Sequence, residues 1–325
     1  MALSRRALLH AASAAAAAPV LAAAPRLALA QAWPARPIRL VVGFPAGGPT
    51  DILARLVADW LAPRLGQKVE VENIASNEDA AAAVAHAPAD GYTLLVIGPA
   101  NAMNATLPKR GDVDFRRDFL PVAGVTREAL AMVVHPSVPA RDVEDFLNYA
   151  RAHPGVKMAV TNPGTAPQVA GELFRTMTGL DLAAVPFAGG PPALRAVIAG
   201  DAALMFEPMS AAVEAIRDGK VRALAVTTAE RTAALPDVAP MAETLLDFEV
   251  SAVTGIAAPR ATPAALVERL NREIVAAYAD EAMKARFTAT GGEVLPASAA
   301  EFGKQFGLEI ANWGRLLRLS GVVPR

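Results

Sequence analysis

The 325-residue chain contains no cysteine. That excludes a disulfide framework, a zinc ribbon, an iron–sulfur cluster and any thiol nucleophile. Net charge is nearly absent as well: 31 Lys+Arg against 32 Asp+Glu give −1, so there is no broad electrostatic attraction for nucleic acid. Histidine is scarce, and His86, His135 and His153 are dispersed along the chain. The zinc-protease pattern H-E-x-x-H and the nucleophile elbow G-x-S-x-G are both missing. Beyond the first thirty residues, no apolar run approaches the ~20 residues of a membrane span. The 53% hydrophobic content overstates membrane character, because much of it is alanine. At roughly 150 residues per domain, the length suggests about two domains with a sizeable core.

What is present begins with an address. Arg5 and Arg6 precede an Ala-rich apolar stretch from Ala11 to Ala24, and Ala28-Leu29-Ala30 supplies the small-x-small pattern that signal peptidase reads. The arginine pair followed by Ala7-Leu8-Leu9 is similar to a twin-arginine export signal, with Leu8 where a Phe is usual. An ordinary secretory signal is the alternative. Pro19 and Pro25 interrupt the stretch and argue against an anchor. Cleavage near Ala30 removes Arg5, Arg6, Arg26 and no acid, taking the net charge from −1 to −4. A soluble protein of an exported compartment, the periplasm, is expected.

The remainder reads as α/β. The β-branched run Ile38 to Phe44 predicts a buried strand. A Pro-Ala-Gly-Gly-Pro turn follows, then a helix capped by Thr50 or Asp51 and closed by Pro63 and Gly66. Strands are expected at 69–72 and 92–97, with a helix at 80–87. That order is the pattern of a largely parallel sheet. A second unit alternates strands at 130–135, 156–160, 182–186, 203–206 and 221–227 with helices at 143–152, 169–177, 192–199 and 211–217. A strand at 250–257 and a mostly helical tail at 263–280 and 299–319 complete two α/β lobes. Ala46-Gly47-Gly48-Pro49 recurs as Ala188-Gly189-Gly190-Pro191, each copy between a strand and a helix. Either chance or a shared pocket design accounts for that echo.

The glycine turn from Gly43 to Thr50 exposes N–H groups at the positive end of a helix, a geometry that binds anions; an empty structural turn is the alternative. A P-loop would need lysine where Pro49 stands, and the dinucleotide fingerprint is absent, so nucleotides are disfavoured. Thr161-Asn162-Pro163-Gly164-Thr165 offers hydroxyls and an amide to a carboxylate, or simply caps the next helix. Loops of this kind lie outside the carboxyl ends of strands, where open α/β sheets bind ligands. Glu78, Asp79 and Glu207 are candidate acids without an evident partner. Glu78 and Asp79 read as a solvated pair at a helix start. His135 reads as a strand-end residue rather than a base. Lys109-Arg110 and Arg116-Arg117 read as solvated surface. No triad, carboxylate pair or metal cluster is legible, so neither catalysis nor a cofactor is expected.

With these residues assembled, the chain resembles the Bug family, the extracytoplasmic solute receptors of tripartite tricarboxylate transporters. The likeness runs through WPARPIRLVVGFPAGGPTDILARL, ADGYTLLV, DFLPVAGV, MVVHPSVP, VAGELFRTMTG, VPFAGGPPAL, GKVRALAVTTAERTAALPDV and TPAALVERLN. It implies an α/β, two-lobed periplasmic-binding-protein fold (type II-like) closing on a small organic acid. It also implies a permease of the tripartite tricarboxylate type as partner and a monomeric receptor. Lobe 1 is then expected at 31–130 plus 251–325 and lobe 2 at 131–250, with crossings near Leu130 to Pro136 and Val250 to Ala257. Family contacts map onto Phe44, Ala46, Gly47 and Gly48, and onto Thr161, Asn162, Gly164, Thr165, Phe187 and Gly189. Asp51 matches an acid expected to shape the turn. Gln168 stands where a His is common, and Glu207 where an Asp is usual.

Two stretches depart from the family. An Arg-Pro and a Gly-rich loop are replaced by Ile74-Ala75-Ser76-Asn77-Glu78-Asp79, shorter and acidic, and the next cleft segment reads Gly98-Pro99-Ala100-Asn101. Fewer flexible N–H donors and two more acids imply a ligand with less negative charge, with Ser76, Asn77, Ala100 and Asn101 as adapted contacts. Two other outputs fit the same scaffold: an exported sensor domain signalling to a membrane partner, and an enzyme.

Overall fold

A computed structural model describes residues 33–107 and 113–322. The export segment and Lys109-Arg110 lie outside the described residues. The first half runs β1 (Ile38–Val42), α1 (Pro49–Leu65), β2 (Val69–Asn73), α2 (Asn77–Ala85), β3 (Thr93–Ile97), α3 (Pro99–Asn104) and α4 (Phe115–Asp118) into the long strand β4 (Phe119–Val134). Next come α5 (Val143–Ala152), β5 (Val156–Val160), α6 (Ala166–Thr178), β6 (Leu182–Pro186), α7 (Gly190–Ala199), β7 (Leu204–Pro208), α8 (Met209–Arg217) and β8 (Arg222–Val226). The chain ends with β9 (Ser251–Pro259), α9 (Ala264–Val275), α10 (Glu281–Ala289), β10 (Gly292–Val294) and α11 (Ala299–Ser320).

The strands line up in the order β2-β1-β3-β9-β4-β7-β5-β6, with β8 and β10 also on β4. β2, β1 and β3 are parallel, as are β7, β5 and β6. β4 joins the two sets. Its residues Phe119 to Ala129 pair antiparallel with β9, and Leu130 to Val134 pair antiparallel with β7 and β8. The sequence pattern finds only the second half of β4, because Pro121, Gly124 and Arg127 break the apolar run of the first half. Bulges occur there, at Pro121/Ala123 and Gly124/Thr126.

Directions along β4 decide where the loops go. β3 and β4 are both antiparallel to β9, so β1, β2 and β3 run with β4 toward residue 130. β5, β6 and β7 run against β4, hence toward the same point from the other side. The carboxyl ends of both parallel sets therefore meet over the junction at Ala129-Leu130.

Both chain crossings at that junction are tied by Thr227, which is fully buried. Its Oγ accepts from Leu130 N–H at 2.9 Å and donates to the Val250 carbonyl at 2.6 Å. Its backbone N–H donates to the Leu130 carbonyl, and its carbonyl accepts from Val250 N–H. α11 buries Phe302, Phe306, Ile310, Trp313 and Leu317, spaced three or four residues apart as one helical face requires. Phe302 approaches closely enough that a Cβ at Gly255 would lie 2.2 Å from its ring, and one at Gly124, the paired residue on β4, 3.0 Å. Glycine at both positions admits the ring.

Several local expectations need correction. The cap of α1 is Gly48, without a side-chain hydrogen bond, and Thr50 and Asp51 lie inside the helix. Pro49 occupies the first helical position, where a missing N–H costs nothing. Pro63 lies within α1, which ends at Gly66 in the left-handed region. The two Ala-Gly-Gly-Pro copies differ by one residue in register: Gly48 caps α1, whereas Gly189, at φ +107°, caps α7. They are not one pocket design used twice. Arg116 and Arg117 belong to the short helix α4, where Arg117 pairs with Asp118 at 2.6 Å.

Candidate functional site

The first junction loop is organised by Asp51. Its carboxylate, 2% exposed, accepts from Gly47 N–H at 2.9 Å, from Arg55 Nε at 2.9 Å and Nη2 at 3.0 Å, and from Asn73 Nδ2 at 2.9 Å. Asn73 Nδ2 also donates to the Phe44 carbonyl. Burial works against the charge, but Arg55, Gly47 and Asn73 outweigh it and hold the carboxyl below its ordinary range. Gly47 sits at φ +81°, a conformation glycine supplies without strain. Its N–H is already engaged. The donors the α1 start still presents are the N–H groups of Gly48, Thr50 and Asp51, which have no backbone acceptor among the described residues. Phe44 is half-buried, and Ala46 and Gly47 are exposed.

The loop after β5 repeats that construction with different chemistry. Gly164, again at φ +81°, donates its N–H to Gln168 Oε1 at 2.8 Å, four residues on, as Gly47 does to Asp51. Thr165 caps α6 by accepting from Gln168 N–H, and its Oγ lies 2.6 Å from Thr161 Oγ. Thr161 is buried and Asn162 is exposed with its carbonyl bonded by Thr165. The capping reading of this loop therefore holds for Thr165. Phe187 packs against the core beneath α7, and Gly189 is half-buried.

The atypical segment is internally bonded. Ser76 caps α2 by accepting from Asp79 N–H. Asn77 and Asn101 join their amides: Asn101 Nδ2 donates to Asn77 Oδ1 at 3.1 Å, and Asn77 Nδ2 lies 3.4 Å from Asn101 Oδ1, which also accepts from Gly98 N–H. Asn101 and Ala100 are buried. Glu78 and Asp79 are exposed in the first turn of α2, where the helix dipole favours them.

Glu207 lies at the junction edge of β7, opposite Ala131 on β4. It is 1% exposed, and its Oε2 is buried without a hydrogen-bond partner. Across the junction Glu128, 3% exposed, accepts from Ser210 N–H in the first turn of α8. Burial pushes Glu207 up to about 8, with the Glu128 charge adding to it. Burial pushes Glu128 up to about 7, offset in part by Ser210. Sequence reasoning missed Glu128, Asn73 and Thr227. Glu128 was visible as an acid interrupting an apolar run; the other two carried no local signal. His135 follows β4 and its Nδ1 meets Ser137 Oγ at 2.7 Å, while His153 caps α5. No group of three His, Cys, Asp or Glu residues suited to a metal occurs among the described residues, and no helix there is long and apolar enough to cross a membrane.

The family profile described as "Tripartite tricarboxylate transporter family receptor" matches residues 53–322. BugT of Bordetella pertussis is 32% identical over 298 residues, covering 90% of this chain and 91% of BugT. Among solved structures, an R. palustris protein with adipate is 33% identical at a TM-score of 0.84, covering 90% of this chain and 100% of that one. MatC from Rhodopseudomonas palustris with bound malate is 32% identical at a TM-score of 0.78, covering 88% and 100%. The periplasmic binding protein BugD is 29% identical at a TM-score of 0.80, covering 89% of this chain and 99% of that one, and the shared architecture is the two-lobed α/β fold expected from the sequence. The chain belongs to the tripartite tricarboxylate transporter receptor family, whose curated members include the Bug proteins.

Proposed function

We propose that this chain is a periplasmic receptor that closes two lobes on a small organic acid and delivers it to a tripartite tricarboxylate-type membrane permease. The observation that carries the reading is the convergence of the carboxyl ends of both parallel strand sets on one junction. Helix starts from α1, α6 and α7 open there, and a helix start offers N–H donors and a positive dipole to an anion. The lobes are 31–130 with 251–325, and 131–250, hinged where Thr227 ties both crossings. Phe44, Ala46, Gly48, Thr161, Asn162, Thr165, Phe187 and Gly189 line the ligand space, with Gly47, Gly164 and Gln168 shaping its turns. Adipate and malate in the related structures support a carboxylate ligand. The receptor is monomeric, carries no cofactor and is released by cleavage near Ala30.

Thermal unfolding against a panel of dicarboxylates, monocarboxylates, amides and amines tests this. A ligand at about 100 times its Kd stabilises by about 2.7 kcal/mol, a shift that melting reports readily. A shift with carboxylic acids is expected. A response to monocarboxylates or amides alone assigns the specificity change to Ser76, Asn77 and Asn101. No response from any class moves the output to a sensor partner.

A further inference from the structure

Resting on the receptor reading above, we propose that Glu207 is a specificity-determining residue that holds its proton and donates its O–H to a carboxylate oxygen of the bound ligand. Three observations of the junction carry this. The side chain is pressed against the start of α7: a Cβ on Gly190 would lie 2.2 Å from Oε1 and 3.0 Å from Oε2, so the carboxyl group as placed packs directly on the glycine backbone. Gly190 opens α7 just past the carboxyl end of β6, one of the strands whose carboxyl ends meet at the junction. Oε2 is buried with no partner.

A buried polar atom without a partner is rare and costs stability, so its retention calls for a role. The second acid at the junction decides which role. Glu128 has a donor, the N–H of Ser210, at the positive end of α8, and is the member of the pair that ionises first. Glu207 has none, and a second buried negative charge beside Glu128 is strongly disfavoured. The other charged groups nearby supply no compensation. Lys157 on β5, Arg195 on α7, and Glu214 and Arg217 on α8 are exposed, and Glu172 and Arg175 on α6 pair with each other. The charge acting on Glu207 is that of Glu128. Glu207 therefore enters binding as a neutral acid: one O–H donor that a carboxylate can accept and an ammonium group cannot. This complements the N–H donors of the α1 start with a donor that carries no positive charge.

Adipate is a suitable probe, because both its carboxylates stay ionised between pH 6 and pH 9.5 (ordinary carboxyl values are about 4). Titration calorimetry across that range is expected to show a flat Kd at low pH. The Kd should then rise about tenfold per pH unit once Glu207 ionises. Glu207→Gln keeps an N–H donor and should bind adipate without that rise. Glu207→Met keeps the size but no donor, and should bind about ten- to hundredfold more weakly at every pH. The part of the carboxylic-acid carbonyl band at pH 7 that Glu207→Gln removes from the infrared spectrum, with Glu128 contributing to both proteins, reports the proton independently of ligand. A pH-independent wild-type Kd, full affinity in Glu207→Met, or a missing acid band overturns the donor role alone. Failure of adipate and malate to bind at any pH overturns the donation to these carboxylates; the receptor reading falls only if no monocarboxylate or amide binds either.

Discussion

Two carboxyl groups of this chain face opposite electrostatic outcomes, and their neighbours decide which. Asp51 collects donors from Gly47, Arg55 and Asn73, and stays ionised despite burial. Its folded-state pKa lies below the unfolded value, so the stability it contributes is present above about pH 4 and is lost as pH falls through the folded value. Asp51→Asn removes the charge that holds Arg55 and Gly47, and is expected to cost about 2 kcal/mol at pH 7 in urea unfolding, with weaker ligand binding because the α1 turn loosens. Glu207 shows the reverse sign. Unfolded, it ionises near 4.5; folded, it keeps its proton to about 8. The unfolded chain thus releases its proton first, and stability falls as pH rises through that window. Glu128 titrates with it, so the window belongs to the pair. Glu207→Gln cannot ionise, and its unfolding free energy relative to the wild type should improve by about 3 kcal/mol between pH 5 and pH 8.

At the scale of elements, close approach to glycine sets the packing. α11 presents Phe302 to the facing pair Gly124 and Gly255 on β4 and β9, and α7 presents Gly190 to Glu207. Gly255→Ala would bring a methyl group to 2.2 Å from the Phe302 ring and 2.8 Å from the Ala123 carbonyl. Overpacking of this kind typically costs 1–3 kcal/mol, so a lowered melting temperature with unchanged far-ultraviolet circular dichroism is expected. Most elements were legible because their apolar periodicity is strong: α5, β5 and β6 fall on the residues the pattern indicates. α3 was not, since Gly98-Pro99-Ala100-Asn101 was read only as a cleft segment; Asn101 Oδ1 accepts from Gly98 N–H and caps the helix. The caps were misplaced for a related reason. Side-chain propensity pointed to Thr50, but the chain uses that residue's position for the helix body and lets Asp51 bond backward to the turn.

Across the whole molecule, one buried hydroxyl links both crossings. Thr227→Val keeps the shape and removes the Oγ that serves Leu130 N–H and the Val250 carbonyl. Leaving that donor and acceptor unpaired should cost about 1–3 kcal/mol. It should also broaden the distribution of lobe separations in small-angle scattering of the ligand-free protein, and ligand should restore the closed distribution.

The sequence by itself determined the alternation of strands and helices, the family and the two glycine turns, because each is written in local periodicity or in contiguous motifs. Tertiary structure decided the rest. Glu128 and Glu207 are 79 positions apart in the chain, and only the antiparallel pairing of β4 with β7 brings them to one junction. Thr227 looks like any strand-end threonine until Leu130 and Val250 arrive beside it. Asn77 and Asn101, expected as adapted ligand contacts, also bond their amides to one another once α2 and α3 start side by side. In each case the energy depends on which groups are left to share a buried site, and strand order rather than chain order sets that.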